Sequence, residues 1–200
     1  LSEGRVAASL LELRTALATL ITEAKRGALL SRGAQIVMTG APNAGKSSLM
    51  NRLANQAVAI VTDVPGTTRD VIKQSISIEG VAVQLSDTAG IRTATNAIEQ
   101  EGIERAQTAL NTADIIIEVI DDVEPKETGL SSRDSAQSVI RVLNKIDLSG
   151  RAPGVLEATD QKDKSVPCSV AVSAETGEGI QALEQVIIQC LGMGEAGTTS

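Results

Sequence analysis

The chain contains no Phe, Tyr, Trp or His. Histidine acid–base catalysis and stacking of a nucleobase on an aromatic ring are both excluded, and a core has to be filled by Ile, Val, Leu and Ala. Cysteine is almost as scarce. Cys168 and Cys190 are too few and too isolated for a disulfide framework or a zinc site, which fits a reducing cytosol. No uninterrupted apolar stretch approaches the ~18 residues of a membrane span, and residues 1–27 are amphipathic and charged, unlike a signal peptide, so a cytoplasmic protein with no membrane partner is expected. Positive charge is also in deficit: 18 Lys and Arg face 25 Asp and Glu, a net charge of −7. Nucleic-acid backbones are bound by cations that neutralise phosphates, so no direct nucleic-acid contact is expected from this chain.

What is present begins at residues 40–47, GAPNAGKS, a full GxxxxGK[ST] pattern between an aliphatic run, Gln35 to Thr39, and a helical pattern, Ser48 to Leu53. Strand, glycine-rich loop and helix in that order form a phosphate cradle: backbone N–H groups of Ala41 to Lys46 surround a nucleotide β-phosphate at a helix N-terminus. The nucleotide-contacting set predicted here is Asn43, Ala44, Gly45, Lys46, Ser47 and Ser48. Lys46 bridges the β- and γ-phosphates, and the Ser47 hydroxyl takes a position on Mg²⁺.

Three further segments follow at strand ends. Asp87-Thr88-Ala89-Gly90 places a carboxylate next to the metal and a Gly90 N–H against a γ-phosphate. Between it and the phosphate loop lies the polar run 62–70, whose Thr62, Thr67 and Thr68 suit a segment ordered by γ-phosphate and Mg²⁺, with Thr68 completing the metal shell beside Ser47 and Asp87. Asn144-Lys145-Ile146-Asp147 puts an aspartate where it accepts the N1–H and N2–H₂ groups of guanine. Adenine cannot donate there, and a site that leaves a buried polar group unpaired rejects the wrong partner by roughly 10⁴ to 10⁵. Lys145 lays its aliphatic stem over the base, and Ser173-Ala174 supplies backbone contact to the guanine oxygen.

The intervening pattern alternates strands and helices. A hairpin is predicted over 71–78 and 81–85, strands at 115–120, 139–143 and 166–172, and helices at 98–110 and 180–191. These imply an α/β fold in three layers, a P-loop NTPase of the Ras-like G-domain type, whose mostly parallel sheet carries one antiparallel edge strand. Residues 1–28 read as an amphipathic helix with a stripe at Val6, Leu10, Leu13, Leu17, Leu20, Ile21 and Ala24, closed near Gly27. It either packs on the domain's own surface or is the remnant of a larger helical domain. Residues 29–191 are the nucleotide-binding domain and 192–200 a flexible tail. Residues 121–137 are acidic and short for a strand crossover, and 150–164 have only Val155-Leu156 as an apolar anchor; neither stretch is assigned.

PNAGKSSLMNRL, AIVTDVPGTTRDV, DTAGIR, IEQEGIERA over 98–106 and SAETGEG together make the chain resemble the translation-factor class of GTPases, and within it the G domain of the MnmE (TrmE) family of tRNA-modification GTPases, over roughly residues 29–191. The resemblance implies GTP and GDP as substrate and product, Mg²⁺ as cofactor, and a part in modifying the wobble uridine of tRNA. It implies catalytic roles for Glu99, Lys46, Thr68 and Gly90. Glu99 stands in for the glutamine that other small GTPases place after DTAG, where this chain has Ile91. It further implies K⁺ held by Asn43 with Thr62 and Val64, G-domain homodimerisation in the triphosphate or transition state, and a partner protein of the tRNA-modification complex. The family's folate-binding domain and Cys-x-Gly-Lys motif find no match here, so the chain is expected to hydrolyse GTP without itself modifying tRNA. Two alternatives stay open: a Der- or Era-like ribosome-assembly GTPase, and a GTP-binding interaction module with negligible hydrolysis.

Overall fold

The computed structural model describes residues 2–56, 73–87, 108–126, 138–156 and 169–193. Its elements are α1 (Ser2–Arg32), β1 (Ala34–Gly40), α2 (Lys46–Gln56), β2 (Lys73–Ile78), β3 (Val81–Asp87), β4 (Ile115–Asp121), β5 (Ser138–Asn144), α3 (Ile146–Ser149), β6 (Gly154–Leu156), β7 (Ser169–Val172) and α4 (Ile180–Cys190). Seven strands form one sheet in the order β2-β3-β1-β4-β5-β7-β6. The five central strands run parallel and β2 pairs antiparallel with β3, as the α/β reading expects.

Strands β4 and β7 are covered on both faces, which is why they read as aliphatic runs, whereas β3 alternates, with Ala82 and Gln84 exposed. Ile115, Ile116 and Ile117 are all fully buried. Ile36, Met38, Ile117 and Val119 point into the larger core with Leu49, Met50 and Leu53 of α2 and Ile180, Leu183 and Ile187 of α4. Val37 and Ile116 point the other way, onto Ala109 and Leu110 of the helical turn at 108–112. Burying each such Leu or Ile contributes about 1.5–3 kcal/mol. Branched aliphatic packing therefore replaces the missing aromatics.

Two boundaries differ from the expectation. The first helix does not close at Gly27 but continues to Arg32. Leu29 finds a buried place in the core, and Gly33, at φ +77°, supplies the left-handed terminus instead. Among the described residues the stripe on that helix stays uncovered: Leu10, Leu13, Leu17, Leu20 and Ile21 are 51–61% exposed. Packing on the domain's own surface is thus not what the described residues do. The second difference is β6, a three-residue strand antiparallel to β7, so the sheet has an antiparallel strand at both edges instead of one. Of the remaining expectations, most of the helix at 98–110, the strand start at 166–168, residues 127–137 and 157–164, and the tail from 194 lie outside the described residues.

Candidate nucleotide site

Strand register brings the predicted motifs to one edge. Met38 is level with Asp87, Gly40 with Val119, Asp121 with Asn144, and Asn144 with Val172. The carboxyl ends of β1, β3, β4, β5 and β7 therefore form a single rim. β1 has β3 on one side and β4 on the other, so the loop after β1 leaves the sheet where the chain order reverses, the place where ligands bind open α/β sheets.

In the loop itself Asn43 and Gly45 have left-handed backbones, φ +65° and +93°. Gly45 must lack a side chain, because a Cβ there would run into the Asn144 amide. The Ala44 N–H donates to Ala41 O at 3.3 Å, and α2 starts at once, its Leu49 N–H reaching Gly45 O at 2.9 Å. Lys46 is 93% buried on the rim side, and its Nζ donates to Gly40 O at 3.0 Å and Ala41 O at 2.8 Å, lying across the loop's mouth. Ser47 donates from Oγ to Asp87 Oδ2 at 3.5 Å, so the two predicted Mg²⁺ ligands converge from different elements. Both are hard oxygen donors of the kind Mg²⁺ takes. Ser48 is exposed one residue further along α2.

The segment predicted to recognise the base is tied to this loop. Asn144, buried, donates from Nδ2 to Ala44 O at 2.9 Å and accepts the Ala174 N–H on Oδ1 at 3.0 Å. Ser173 donates from Oγ to Asp147 Oδ1 at 2.6 Å and accepts the Thr176 N–H at 3.0 Å. Asp147 stands exposed in the first turn of α3. The Ala174 N–H expected to meet the guanine oxygen is thus already engaged with Asn144, so a base contact there has to share it.

Sequence reading did not single out Asp121 and Asp122, which lie in the unassigned acidic stretch. Asp121 accepts Lys145 Nζ at 2.6 Å and the Val123 and Glu124 N–H groups at 3.0 and 3.3 Å. Lys145, at φ +72°, is thereby held upright beside a cleft of about 300 Å³ lined by Ala41, Asn43, Ile120, Asp121, Lys126 and Leu148 among others. Asp122 accepts Arg151 Nε at 2.8 Å and the Ser149 hydroxyl, bracing the far end of α3. The hydrogen bond from Lys145 holds the Asp121 carboxyl below the usual aspartate range, and that from Arg151 does the same for Asp122. A signal was available: both follow directly on an aliphatic strand, as Asp87 does.

A family model described as 50S ribosome-binding GTPase matches residues 35–147. The chain belongs to that GTPase family. Its site is accordingly one for GTP binding and hydrolysis, and GTP and GDP are the nucleotides concerned. Among curated relatives, this GTPase is 39% identical over 196 residues to the tRNA modification GTPase MnmE of Nitrosomonas eutropha and 41% identical over 197 residues to that of Laribacter hongkongensis. The alignments cover 96% and 94% of the chain and 42% and 41% of those proteins. The resemblance drawn from the motifs is borne out, while the chain spans about two fifths of the length of the relatives it matches. Among solved structures it is similar to an Aquifex aeolicus Era variant bound to GDP and AlF₄⁻, with TM-score 0.59 and 27% identity, covering 80% of this chain and 57% of that one. It is also similar to the G domain of the T. maritima FeoB iron transporter, with TM-score 0.52 and 25% identity over 78% of this chain and 98% of that one. No helix among the described residues is long and apolar enough to cross a membrane. Of the predicted site residues, Thr62, Val64, Thr67, Thr68, Gly90 and Glu99 lie outside the described residues.

Proposed function

We propose that this chain is the GTP-hydrolysing module of a cytoplasmic machine that modifies the wobble uridine of tRNA, its cycle driving partner domains or a partner protein rather than performing the modification. The observation that carries the reading is the Asn144 bridge: one side chain binds the phosphate loop at Ala44 and the base loop at Ala174, next to the Ser173–Asp147 pair that suits guanine. Phosphate grip and purine choice thus form one unit. Lys46 neutralises the triphosphate, and Ser47 with Asp87 would hold Mg²⁺, which supplies charge neutralisation on the β- and γ-oxygens when bound. Thr68 and Gly90 complete the γ-phosphate surroundings, and Glu99 orients the attacking water, a contribution typical of positioned acid–base groups at 10² to 10⁴.

K⁺ at Asn43, with Thr62 and Val64, and pairing of two such domains across their nucleotides extend the same reading. Its support is the left-handed Asn43 on the cleft wall and the likeness to MnmE. Binding of a ribosomal subunit, favoured by the family's description and by the likeness to Era, is the second reading. The higher identity to MnmE over nearly the whole chain supports the first.

The test is nucleotide selection with single-turnover hydrolysis. GTP is expected to outcompete ATP by roughly 10⁴, and Asp147→Asn to transfer preference to xanthosine triphosphate; an unchanged preference in that variant would remove Asp147 as the selector. Hydrolysis is expected to run faster in KCl than in NaCl, and equal rates would remove the K⁺ component alone. Glu99→Ala should keep GTP affinity and lose hydrolysis.

A further inference from the structure

We infer that Arg52 is a positioning residue for nucleobase recognition, fastening the loop that meets the guanine edge onto the helix that starts at the phosphates. The inference rests on the guanine-nucleotide reading of the site. Arg52 lies on α2, which begins at Lys46. Its Nε donates to Ala174 O at 2.9 Å, and its Nη2 donates to the next carbonyl, Glu175 O. A planar fork that binds two successive carbonyls fixes both the position and the orientation of the peptide between them; a lysine ammonium can fix only a point.

The same loop is gripped from the other side. Asn144 accepts the Ala174 N–H, so this residue is held at its N–H from β5 and at its C=O from α2. The Ser173 hydroxyl then binds Asp147, and the Thr176 N–H closes the turn onto that hydroxyl. At Gly177 the guanidinium lies against the loop, an added Cβ standing 3.7 Å from Arg52 Nη1. Arg52 is half-buried, and its two bonds join segments 122 and 123 residues apart in sequence. Nothing in this arrangement needs a phosphate contact from Arg52 itself. Its effect falls on the base: a loop ordered before the nucleotide arrives does not charge its ordering against binding. In a chain without an aromatic ring to cover the base, the polar edge contacts carry more of the selectivity, and their placement depends on this clamp.

The experiment compares wild type, Arg52→Ala and Arg52→Lys in the full chain, by calorimetry at millimolar Mg²⁺, with GDP and with inorganic pyrophosphate, which has no base. Arg52→Ala should weaken GDP about tenfold, the scale of one to two ordinary hydrogen bonds, and leave pyrophosphate affinity unchanged; Arg52→Lys should fall between. An equal loss for both ligands in both variants assigns Arg52 to general folding and overturns the inference. So does an unchanged GDP affinity in Arg52→Ala. A wild type that takes pyrophosphate but not GDP overturns the guanine reading, and this inference with it.

Discussion

The rim of the sheet and helix α1 are built on opposite terms. At the rim four side chains of the proposed site are fastened before any ligand is considered: Lys46 to two carbonyls, Asn144 to two loops, Lys145 to Asp121, Asp147 to Ser173. Helix α1 runs 31 residues with Leu10, Leu13, Leu17 and Leu20 exposed, and among the described residues it meets the rest chiefly near its end, at Leu29 and Arg32. There Arg32 forms a bidentate pair with Asp114, at 3.0 and 2.6 Å, and Asp114 also accepts the Gln35 N–H at 2.8 Å. Polar networks thus hold the part proposed to select the nucleotide, where a misplaced group would cost affinity. The apolar stripe, which elsewhere would build a core, is left uncovered among the described residues.

The contrast breaks most sharply at Asn144. Asn144→Ala leaves the buried Ala44 C=O and Ala174 N–H without their partner, at on the order of 1–3 kcal/mol for each group. Urea denaturation should show a loss of that size together with weaker GDP binding; a midpoint unchanged from wild type would mean that water replaces the bridge. A smaller effect is expected from acid. Asp121 and Asp122 titrate below the ordinary 3.8 in the folded protein, so the unfolded chain takes up their protons first as pH falls. Their contribution is fully present above about pH 4 and is lost as pH drops through the lower folded values. Asp121→Asn should therefore narrow its stability gap from wild type as pH falls below about 4, with melting followed by circular dichroism; a gap that stays constant on acidification would show that the Lys145 pair contributes nothing through charge. The smallest effect belongs to α1. Leu17→Gln should shift stability by no more than ~0.5 kcal/mol, as for other exposed sites, and a larger loss would reveal that the stripe is covered in solution.

What was legible followed from how local the physics is. The phosphate loop, Asp87 and NKID are set by a few consecutive residues at strand ends, so their placement on one rim could be read from aliphatic runs alone. The bonds among them could not: Asn144 reaches residues 100 and 30 positions away, and Arg52 reaches 122. β6 escaped notice because three residues opening with a glycine carry too little pattern to register as a strand. Gly27 misled for a related reason. It looked like a helix terminus, yet an added Cβ would meet nothing within 4 Å, so no steric demand sets its place and the helix passes through it.

Helix α1 has one more property, which comes from its length. At about 1.5 Å per residue its 31 residues reach about 46 Å from the Arg32 latch. A tilt of about 10° at Gly33 would sweep the far end through about 8 Å, several times any displacement plausible within the close-packed sheet. The helix is geometrically a pointer whose pivot directly adjoins β1, the strand that leads into the proposed phosphate loop.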